Sequence, residues 1–300
     1  MPSKSPAWAY LLLSVAVLMW SGNFILGRAV HAEIPPVGLA FWRWVVAAAL
    51  LAPFAAPAAF RQRAALRTHW RLLLVLALFG VAAFNTLVYV GLQTTTAVNG
   101  ALVNATMPAL IVITGLVLFR DRVSLAQAVG IALSFLGVAT IIFRADIALV
   151  QSLRFTAGDV IVLAATACYA VYVVLWARRP PTLDPYGTLL VLFLAGAAIL
   201  APFYAWESLV AGRTVPLTWT AAGAVFYVAA GSSVLAWTCY NRGIELVGPG
   251  QAGMFINLNP VFASILAVIL LGESFRVYHA AGMALVFAGI WLATRAGSRR

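Results

Sequence analysis

The sequence predicts an all-α polytopic membrane protein, with ten transmembrane helices arranged as two inverted five-helix repeats. Three observations support this fold class: an apolar composition, ten long apolar runs, and phrases that recur half a chain apart. Of the 300 residues, 64% are hydrophobic and only 9% are charged, whereas soluble domains average about 45–50% apolar and about 25% charged residues. Such a chain cannot cover its surface with polar groups, so lipid must be its main solvent.

Ten apolar runs follow one another along the chain with short connections between them. A helix needs about 20 apolar residues to cross the hydrocarbon core of a bilayer. The runs predict spans 1 to 10 at residues 8–30, 36–56, 71–91, 95–119, 124–143, 157–177, 185–205, 217–240, 247–271 and 277–294. A β-barrel is not indicated, because its strands would be segments of about ten residues with alternating polarity. The first run lacks an Ala-x-Ala site, so we interpret it as a span rather than a signal peptide.

Basic residues lie mainly in the connections and mainly on one side of the predicted membrane. The net charge of +11 therefore indicates contact with anionic lipid of the inner leaflet and not with nucleic acid. Thirteen basic residues lie on the side of the N-terminus: Lys4, Arg61, Arg63, Arg67, Arg71, Arg120, Arg122, Arg178, Arg179, Arg242, Arg295, Arg299 and Arg300. Five lie on the other side: Arg28, Arg144, Arg154, Arg213 and Arg276. The positive-inside rule predicts that both termini are cytoplasmic.

Short phrases that recur half a chain apart predict an internal repeat. "LLAPF" ends at Phe54 and "ILAPF" ends at Phe203. Residues that align at this spacing, or at one three residues longer, include Trp20 with Tyr169, Asn23 with Tyr172, Pro36 with Pro185, Pro108 with Pro260, Asp121 with Glu273, Gly130 with Gly282 and Gly137 with Gly289. We therefore predict two units, 1–148 and 149–300. Five spans is an odd number, so the second unit is inverted, as in many transporters with a substrate site near the bilayer midplane.

Several motifs of the chain resemble those of a known family. They are "WSGNF" in span 1, "FWRW" in span 2, and "MPAL…LFRDRVSLAQAVGIALSFLGV", which the second half repeats as "NPVFASILAVILLGESFRVYHAAGMALVFAGI". Together with the ten spans, they resemble the EamA family of the drug/metabolite transporter superfamily, and within it the YddG-type exporters of aromatic amino acids. The resemblance covers the whole chain. It implies efflux of small metabolites across the bacterial inner membrane, through a cavity lined by spans 1, 3, 4, 6, 8 and 9.

Polar and aromatic residues in mid-span are candidates for the lining of this cavity, because polar groups within a bilayer need partners. The substrate-binding candidates are Trp20, Asn23, Asn85, Met107, Tyr169, Tyr172, Ser233, Trp237, Phe255 and Asn259. The gate candidates are Tyr89, Asn99, Tyr240 and Gln251. The open alternative for each residue is structural, since amides and hydroxyls also hold helices together and aromatic rings fill gaps or mark the interface.

The cavity predicted from these residues is aromatic and lined by amides, without a fixed charge. We expect one substrate ring to contact Trp20, Tyr169, Trp237 and Phe255. Asn23, Asn85 and Asn259 would hold its polar end, since amide and hydroxyl groups can bind both an ammonium and a carboxylate. We therefore predict an aromatic or amphipathic, zwitterionic amino acid as substrate, with other amino acids or amphipathic drugs as the open alternative. No catalytic group, metal site or cofactor is predicted, because the three histidines lie at span ends or in loops and Cys168 and Cys239 fit no metal-ligand spacing.

The acidic residues bear on how transport would be driven. Proton-coupled carriers generally use an acid inside the membrane, and this chain has none deep in a span. The acidic residues nearest the membrane lie close to span ends: Asp159, Asp184, Glu207, Glu245 and Glu273. This distribution favours facilitated diffusion, with proton coupling through an end-located acid as the alternative.

Arg43 is the basic residue that lies well inside a predicted span. It follows Pro36 by seven residues, or roughly 10 Å along a helix, and tryptophans stand on either side of it. We interpret it as an interfacial anchor whose side chain extends towards the outer surface, or as a structural residue. The functional alternative is a guanidinium that binds a carboxylate.

Two prolines occupy equivalent positions in the predicted repeats. Pro108 and Pro260 cannot donate a hydrogen bond to the carbonyl four residues earlier, so spans 4 and 9 each contain a weak point. We predict that both act as hinges for alternating access, with a static kink as the alternative. Asn99 and Gln251 each precede these prolines by the same distance, and we expect Asn99 to close the outer mouth and Gln251 the inner one.

Other function classes fit the sequence less well. An intramembrane protease would need a histidine base near the serines of "GSSV", and a channel would need a ring of charge or a backbone filter motif. A carrier of sugar phosphates would need several buried basic residues, whereas only Arg43 lies within a span.

Overall fold

The computed structural model describes residues 6–30, 33–151, 153–271 and 274–297, and these residues form helices without any strand. The helices are α1 (Pro6–Val30), α2 (Pro36–Arg61), α3 (Arg63–Thr68), α4 (Trp70–Gly91), α5 (Ala97–Asn104), α6 (Met107–Phe119), α7 (Leu125–Ile142), α8 (Ile147–Gln151), α9 (Ala157–Ala177), α10 (Pro185–Leu209), α11 (Trp219–Val247), α12 (Pro249–Phe255), α13 (Asn259–Leu271) and α14 (Val277–Gly297). The predicted all-helical class is confirmed.

Eight helical stretches among the described residues are long and apolar enough to cross a membrane. They are Pro36–Arg61, Trp70–Gly91, Asn99–Phe119, Leu125–Ile142, Ala157–Ala177, Pro185–Leu209, Trp219–Val247 and Val277–Arg295, and they match predicted spans 2 to 8 and 10. Spans 1 and 9 are also helical, as α1 and as α12 with α13. The chain is therefore a multi-pass membrane protein, and its ten crossings stay a prediction.

Large apolar side chains face outwards from the bundle, as expected where the solvent is lipid. Phe54 and Phe203, which end the two recurring phrases, are 82% and 58% exposed, and Leu125 is 80% exposed. These residues cannot be part of a water-excluding core. The recurrence of the phrase therefore places equivalent phenylalanines on the outer surface of α2 and α10.

Four of the predicted spans depart from a regular α-helix, at matching positions in the two halves. A π-helical segment occupies Ala77–Ala83 in α4 and another occupies Ala230–Leu235 in α11. The fourth span is interrupted by a turn at residues 105–106, between α5 and α6. The ninth is interrupted by the 3₁₀ turn Ile256–Leu258, between α12 and α13. The sequence did not predict the π segments.

The interruptions of the fourth and ninth spans each end two residues before a proline of the predicted hinge pair. Pro108 and Pro260 leave the carbonyls of Asn104 and Ile256 without the usual helical donor, and the helix loses its regular α form next to both carbonyls. Proline alone does not end a helix in this chain, however, because Pro53 lies within the continuous α2.

Two helix pairs hold the halves together through very close backbone contacts. In the first pair, α7 lies against α14: a Cβ on Gly130 would stand 2.6 Å from the carbonyl oxygen of Gly289, and a Cβ on Gly137 would stand 2.6 Å from that of Gly282. Small residues allow membrane helices to approach this closely. The order of the contacts shows that α7 and α14 run antiparallel.

The second pair is α2 with α10, which also run antiparallel. At one end, the Glu207 carboxylate accepts hydrogen bonds from the backbone N–H groups of Val37 (3.3 Å) and Gly38 (2.7 Å) at the start of α2. At the other end, a Cβ on Gly187 would stand 2.6 Å from the backbone nitrogen of Ala59. The start of each helix thus meets the end of the other, and at Gly187 the backbone contact leaves no room for a side chain.

Candidate functional site

Aromatic side chains from both halves of the chain form one cluster in the interior. We define the aromatic cluster as Trp20, Tyr169, Tyr172, Trp237 and Tyr240. The ring centroids of Trp20 and Tyr240 are 4.9 Å apart, those of Tyr172 and Trp237 are 4.9 Å apart, and those of Tyr169 and Tyr172 are 5.5 Å apart. Apart from the partly buried Trp20, each member is at most 2% exposed. The rings fill the interior, so a ligand that bound here would have to displace some of them.

Helix periodicity explains how these rings meet. Tyr169 and Tyr172 are three residues apart on α9, and Trp237 and Tyr240 are three residues apart on α11, so each pair shares one helix face. Trp20 approaches from α1 and makes an edge-on contact of 6.0 Å with Tyr169.

Three further rings that the sequence analysis missed pack against the cluster. The Phe84 centroid lies 4.5 Å from that of Tyr169, while Trp44 and Phe193 lie 5.1 and 5.8 Å from Trp237. The position of Trp44 beside Arg43 suggests the membrane interface, whereas Trp44 is fully buried.

The polar part of the interior is organised by Arg43, which is 1% exposed. Its Nε donates to Ser233 Oγ at 2.6 Å, Nη1 donates to Asn85 Oδ1 at 2.9 Å and to the Tyr89 hydroxyl at 3.3 Å, and Nη2 donates to the Ser232 carbonyl at 3.1 Å. We call these five residues the Arg43 cluster. It joins α2, α4 and α11, and so contains residues from both halves.

The interpretation of Arg43 as an interfacial anchor is wrong. A snorkelling arginine keeps its head group in water, whereas this guanidinium is enclosed and bonded to two neighbouring helices, α4 and α11. The tryptophans on either side misled the sequence analysis, because successive residues of a helix point in different directions: Trp42 is exposed and Trp44 is buried. The alternative given above, a guanidinium that binds a carboxylate, stays open.

The two clusters meet at one carbonyl in the π segment of α11. The Ser232 carbonyl accepts from Arg43 Nη2 and also from the indole Nε1 of Trp20 at 3.0 Å. A π segment shifts the backbone hydrogen-bonding register, and such segments are frequent at functional sites. Here the segment presents an acceptor that the aromatic and polar groups share.

Several buried polar atoms of this region lack a hydrogen-bond partner. They are Asn23 Oδ1, Trp44 Nε1, Asn85 Nδ2, Tyr169 OH and Tyr240 OH. A buried polar group without a partner is destabilising by about 1–3 kcal/mol. Such atoms are therefore available to bind a ligand.

Phe255, Met107 and Asn259 are substrate-binding candidates with neighbours of their own. The ring of Phe255 stacks on Tyr10 at 5.2 Å, and Met107 is fully buried at the start of α6. Asn259 is 8% exposed at the start of α13, and its backbone carbonyl accepts from Ser21 Oγ at 3.2 Å. We had expected Phe255 to share one ligand ring with Trp20, but the ring that it contacts is Tyr10.

The gate candidates occupy different places. Asn99 donates to the Asp159 carboxylate at 3.1 Å and to the Arg154 carbonyl at 3.0 Å, so it links α5 to the start of α9. Gln251 donates to the Thr294 carbonyl at 3.2 Å on α14. Tyr89 belongs to the Arg43 cluster and Tyr240 to the aromatic cluster.

Ion pairs join helices and loops at the end of the molecule that carries most of the basic residues. Arg178, after α9, pairs with Asp121 between α6 and α7, and Glu245 on α11 pairs with Arg179 (2.8 Å) and Arg242 (2.6 Å). Glu273, which aligns with Asp121 in the predicted repeat, lies outside the described residues. Near these pairs, a cavity of about 240 Å³ is lined by residues that include Trp176, Asn241 and Glu245.

The floor of this cavity is connected to the aromatic cluster. Asn241 accepts a hydrogen bond of 2.9 Å from the Tyr172 hydroxyl, so one side chain contacts both the cavity and the cluster. Asn241 Nδ2 and Trp176 Nε1 are buried without a partner.

Together, the helical bundle and its enclosed aromatic and polar clusters define a multi-pass membrane protein whose interior carries aromatic and polar side chains from both halves of the chain. The model of the EamA-like transporter family matches this chain twice, over residues 7–143 and 156–295. The chain belongs to the EamA-like transporter family. It is thus a membrane transporter of small molecules.

Individual relatives agree with this assignment. The chain is 29% identical over 287 residues to the uncharacterized transporter YyaM of Bacillus subtilis (strain 168), covering 95% of this chain and 93% of that protein. It is 28% identical over 290 residues to an uncharacterized transporter of Archaeoglobus fulgidus, covering 95% and 96%. A crystal structure with 20% sequence identity has the same fold, with a TM-score of 0.74 over 98% of this chain and 99% of that one.

Proposed function

We propose that the protein exports aromatic or amphipathic amino acids from the cytoplasm by alternating access, as facilitated diffusion. The observation that carries this proposal is the aromatic cluster, built from both halves and adjoined by amide and hydroxyl groups. Its rings can stack on a substrate ring, each pair contributing about 0.5–1.5 kcal/mol beyond burial. Asn23 Oδ1 and the hydroxyls of Tyr169 and Tyr240 lack partners and can accept from a substrate ammonium.

The proposed architecture is ten spans in two inverted repeats, 1–148 and 149–300. Reciprocal contacts support it. In the sequence Gly130 aligns with Gly282 and Gly137 with Gly289, whereas in the structure Gly130 lies against Gly289 and Gly137 lies against Gly282. This is the pattern that a two-fold axis produces. The same holds for α2 and α10, where the start of each helix meets the end of the other. The two matches of the family model, one in each half, support the same division.

Alternating access would open and close the two ends in turn. We assign Asn99, with its bond to Asp159, to the outer closure and Gln251 to the inner one. Tyr89, in the Arg43 cluster, and Tyr240, in the aromatic cluster, act as inner walls of the gates. Pro108 and Pro260, which follow the interruptions of the fourth and ninth spans, supply the hinges.

The proposed path of the substrate begins at the cavity beside Glu245. With both termini in the cytoplasm, this end of the molecule faces inwards, because it carries the loops with most arginines. A substrate that entered there would reach Asn241 and then Tyr172. The protein would reside in the bacterial inner membrane, with anionic lipid around the basic loops.

Uptake of labelled amino acids into proteoliposomes tests this function. We expect phenylalanine, tyrosine and tryptophan to be exchanged across the membrane, and glycine and glutamate not to be. Selective exchange of aliphatic amino acids or of amphipathic drugs would replace the aromatic assignment with one of the alternatives. Absence of exchange for every amino acid tested would contradict the proposal.

A further inference from the structure

Arg43 is a buried charge whose described partners are all neutral. Four of its N–H groups donate to a hydroxyl, an amide oxygen, a phenol and a carbonyl. Arginine stays protonated in proteins, and a buried charge is strongly destabilising unless it is paired. Among the described residues no carboxylate lies within salt-bridge distance of this guanidinium. Its positive charge is therefore solvated by dipoles but not neutralised.

The two buried carboxylates of the described chain, and the partly buried Glu245, are engaged elsewhere. Asp159 accepts from Thr95, Asn99 and Thr156, and Glu207 accepts from the start of α2. Glu245 is paired with two arginines. None of them can serve as counter-ion to Arg43 without breaking these contacts.

The groups next to Arg43 add donors. Since a guanidinium only donates, it fixes the Asn85 amide with Oδ1 towards it. Asn85 is 7% exposed, and its Nδ2 is buried without a partner. Trp44, whose ring lies 4.8 Å from Arg43 Cζ, likewise has an indole N–H without a partner. A permanent positive charge beside unpartnered donors is an anion-binding arrangement.

We propose that Arg43 and Asn85 form a carboxylate subsite, in which the anionic group of the transported molecule neutralises Arg43. The proposal rests on the transport function above and specifies the substrate class: the substrate must carry a free carboxylate. A monoanion matches the single guanidinium, whereas a phosphate dianion would leave a net negative charge buried. The Tyr89 contact, at 3.3 Å the longest of the four, is the one that we expect an incoming carboxylate to displace.

The position of this subsite suits an aromatic acid. The Ser232 carbonyl connects Arg43 to Trp20, and Trp44 connects it to Trp237 through ring centroids 5.1 Å apart. A carboxylate at Arg43 would thus place an attached ring beside the aromatic cluster.

Matched pairs of acids and amides test the subsite in the purified full-length protein. The pairs are phenylalanine with phenylalaninamide and 3-phenylpropionate with 3-phenylpropionamide, with binding followed by the shift in melting temperature and by calorimetry. We expect each acid to bind at least about tenfold more tightly than its amide, because hydrogen bonds to charged groups are the stronger class. Equal binding of acid and amide by the wild type would overturn the proposal.

Variants separate recognition from folding. Arg43→Gln should remove the preference for the acid, and Arg43→Lys should keep part of it. Asn85→Asp supplies an internal counter-ion to Arg43, so we expect it to fold with an unreduced melting temperature and to lose binding of the acids. Arg213→Gln, which removes an exposed charge, is the control and should keep the wild-type ratio. Preference for the acid that survives in a folded Asn85→Asp protein would contradict the subsite.

The acid and amide pairs also distinguish this inference from the proposed function. If 3-phenylpropionate binds with a preference over its amide and phenylalanine does not bind, the amino-acid assignment fails while the subsite stands. If phenylalanine and phenylalaninamide are transported equally well, the subsite fails while the transport function stands.

Discussion

Trp20 is the residue at which the aromatic and polar clusters meet. Its ring contacts Tyr240 and Tyr169, and its indole N–H donates to the same carbonyl that accepts from Arg43. Unlike the other rings of the aromatic cluster it is only partly buried, so it can move without opening a cavity in the core. We infer that Trp20 is the ring that a substrate contacts first.

Trp20→Ala should raise the dissociation constant for phenylalanine about tenfold. The change removes the ring that we expect to stack on the substrate, a contact of the kind worth about 0.5–1.5 kcal/mol beyond burial, and a tenfold change in affinity corresponds to about 1.4 kcal/mol. Calorimetry on the purified variant measures this effect. Trp219→Ala is the matched control, since Trp219 is 94% exposed. An unchanged dissociation constant for Trp20→Ala would place the substrate elsewhere.

At the scale of helices, the pairing of α7 with α14 depends on the absence of side chains. A Cβ at Gly137 would lie 2.6 Å from a backbone carbonyl oxygen and 2.7 Å from a backbone nitrogen of α14. Backbone atoms cannot move aside as a flexible side chain can, so the helices would have to separate. Overpacking of this kind is destabilising by about 1–3 kcal/mol.

We therefore expect Gly137→Val to lower the melting temperature of the protein in detergent by several degrees. The control is Gly223→Val on α11, because a Cβ at Gly223 meets nothing within 4 Å. Equal melting temperatures for the two variants would show that α7 and α14 can separate without loss of stability.

The prolines make a second prediction at this scale. If the interruptions before Pro108 and Pro260 are hinges, Pro108→Ala and Pro260→Ala restore the missing donors and stiffen the spans. Both variants should slow substrate exchange several-fold and leave the dissociation constant of phenylalanine near the wild-type value. Wild-type exchange rates for both variants would mean that the spans are only kinked, and the hinge hypothesis would be wrong.

The sequence predicted helices well and side-chain surroundings less well. Apolar runs and prolines placed every helix that is long enough to cross a membrane, because length and hydrophobicity decide that property. The same runs could not show which way a helix is rotated, since nearly all its faces are apolar. Arg43 was therefore misplaced at the interface, and Phe255 was placed with Trp20. The amino-acid composition of the π segments in α4 and α11 does not distinguish them from α-helix, so the sequence analysis missed them.

For the whole molecule, the unequal distribution of basic residues predicts the orientation in the membrane. Thirteen basic residues against five favour cytoplasmic termini. A fluorescent protein fused after Arg300 should fluoresce in the cytoplasm, and a phosphatase fused at the same point should be inactive. Phosphatase activity, which requires export to the periplasm, would reverse the assignment. The cavity beside Glu245 would then face outwards, and the proposed path would run the other way.

The energetics of transport follow from where the charged groups of the whole bundle lie. Among the described residues, the buried acids Asp159 and Glu207 and the partly buried Glu245 are held at helix ends, and arginine stays charged in proteins. The part of the interior that the structure describes thus offers no carboxylate free of such contacts that would load and release a proton with each cycle. We expect proteoliposomes to move phenylalanine down its own gradient at equal pH and zero potential.

Flux should cease when the concentrations are equal, and an imposed pH gradient should not drive accumulation. Liposomes without protein give the background leak. Transport that occurs only under a proton gradient would show that an acid at a helix end titrates during the cycle.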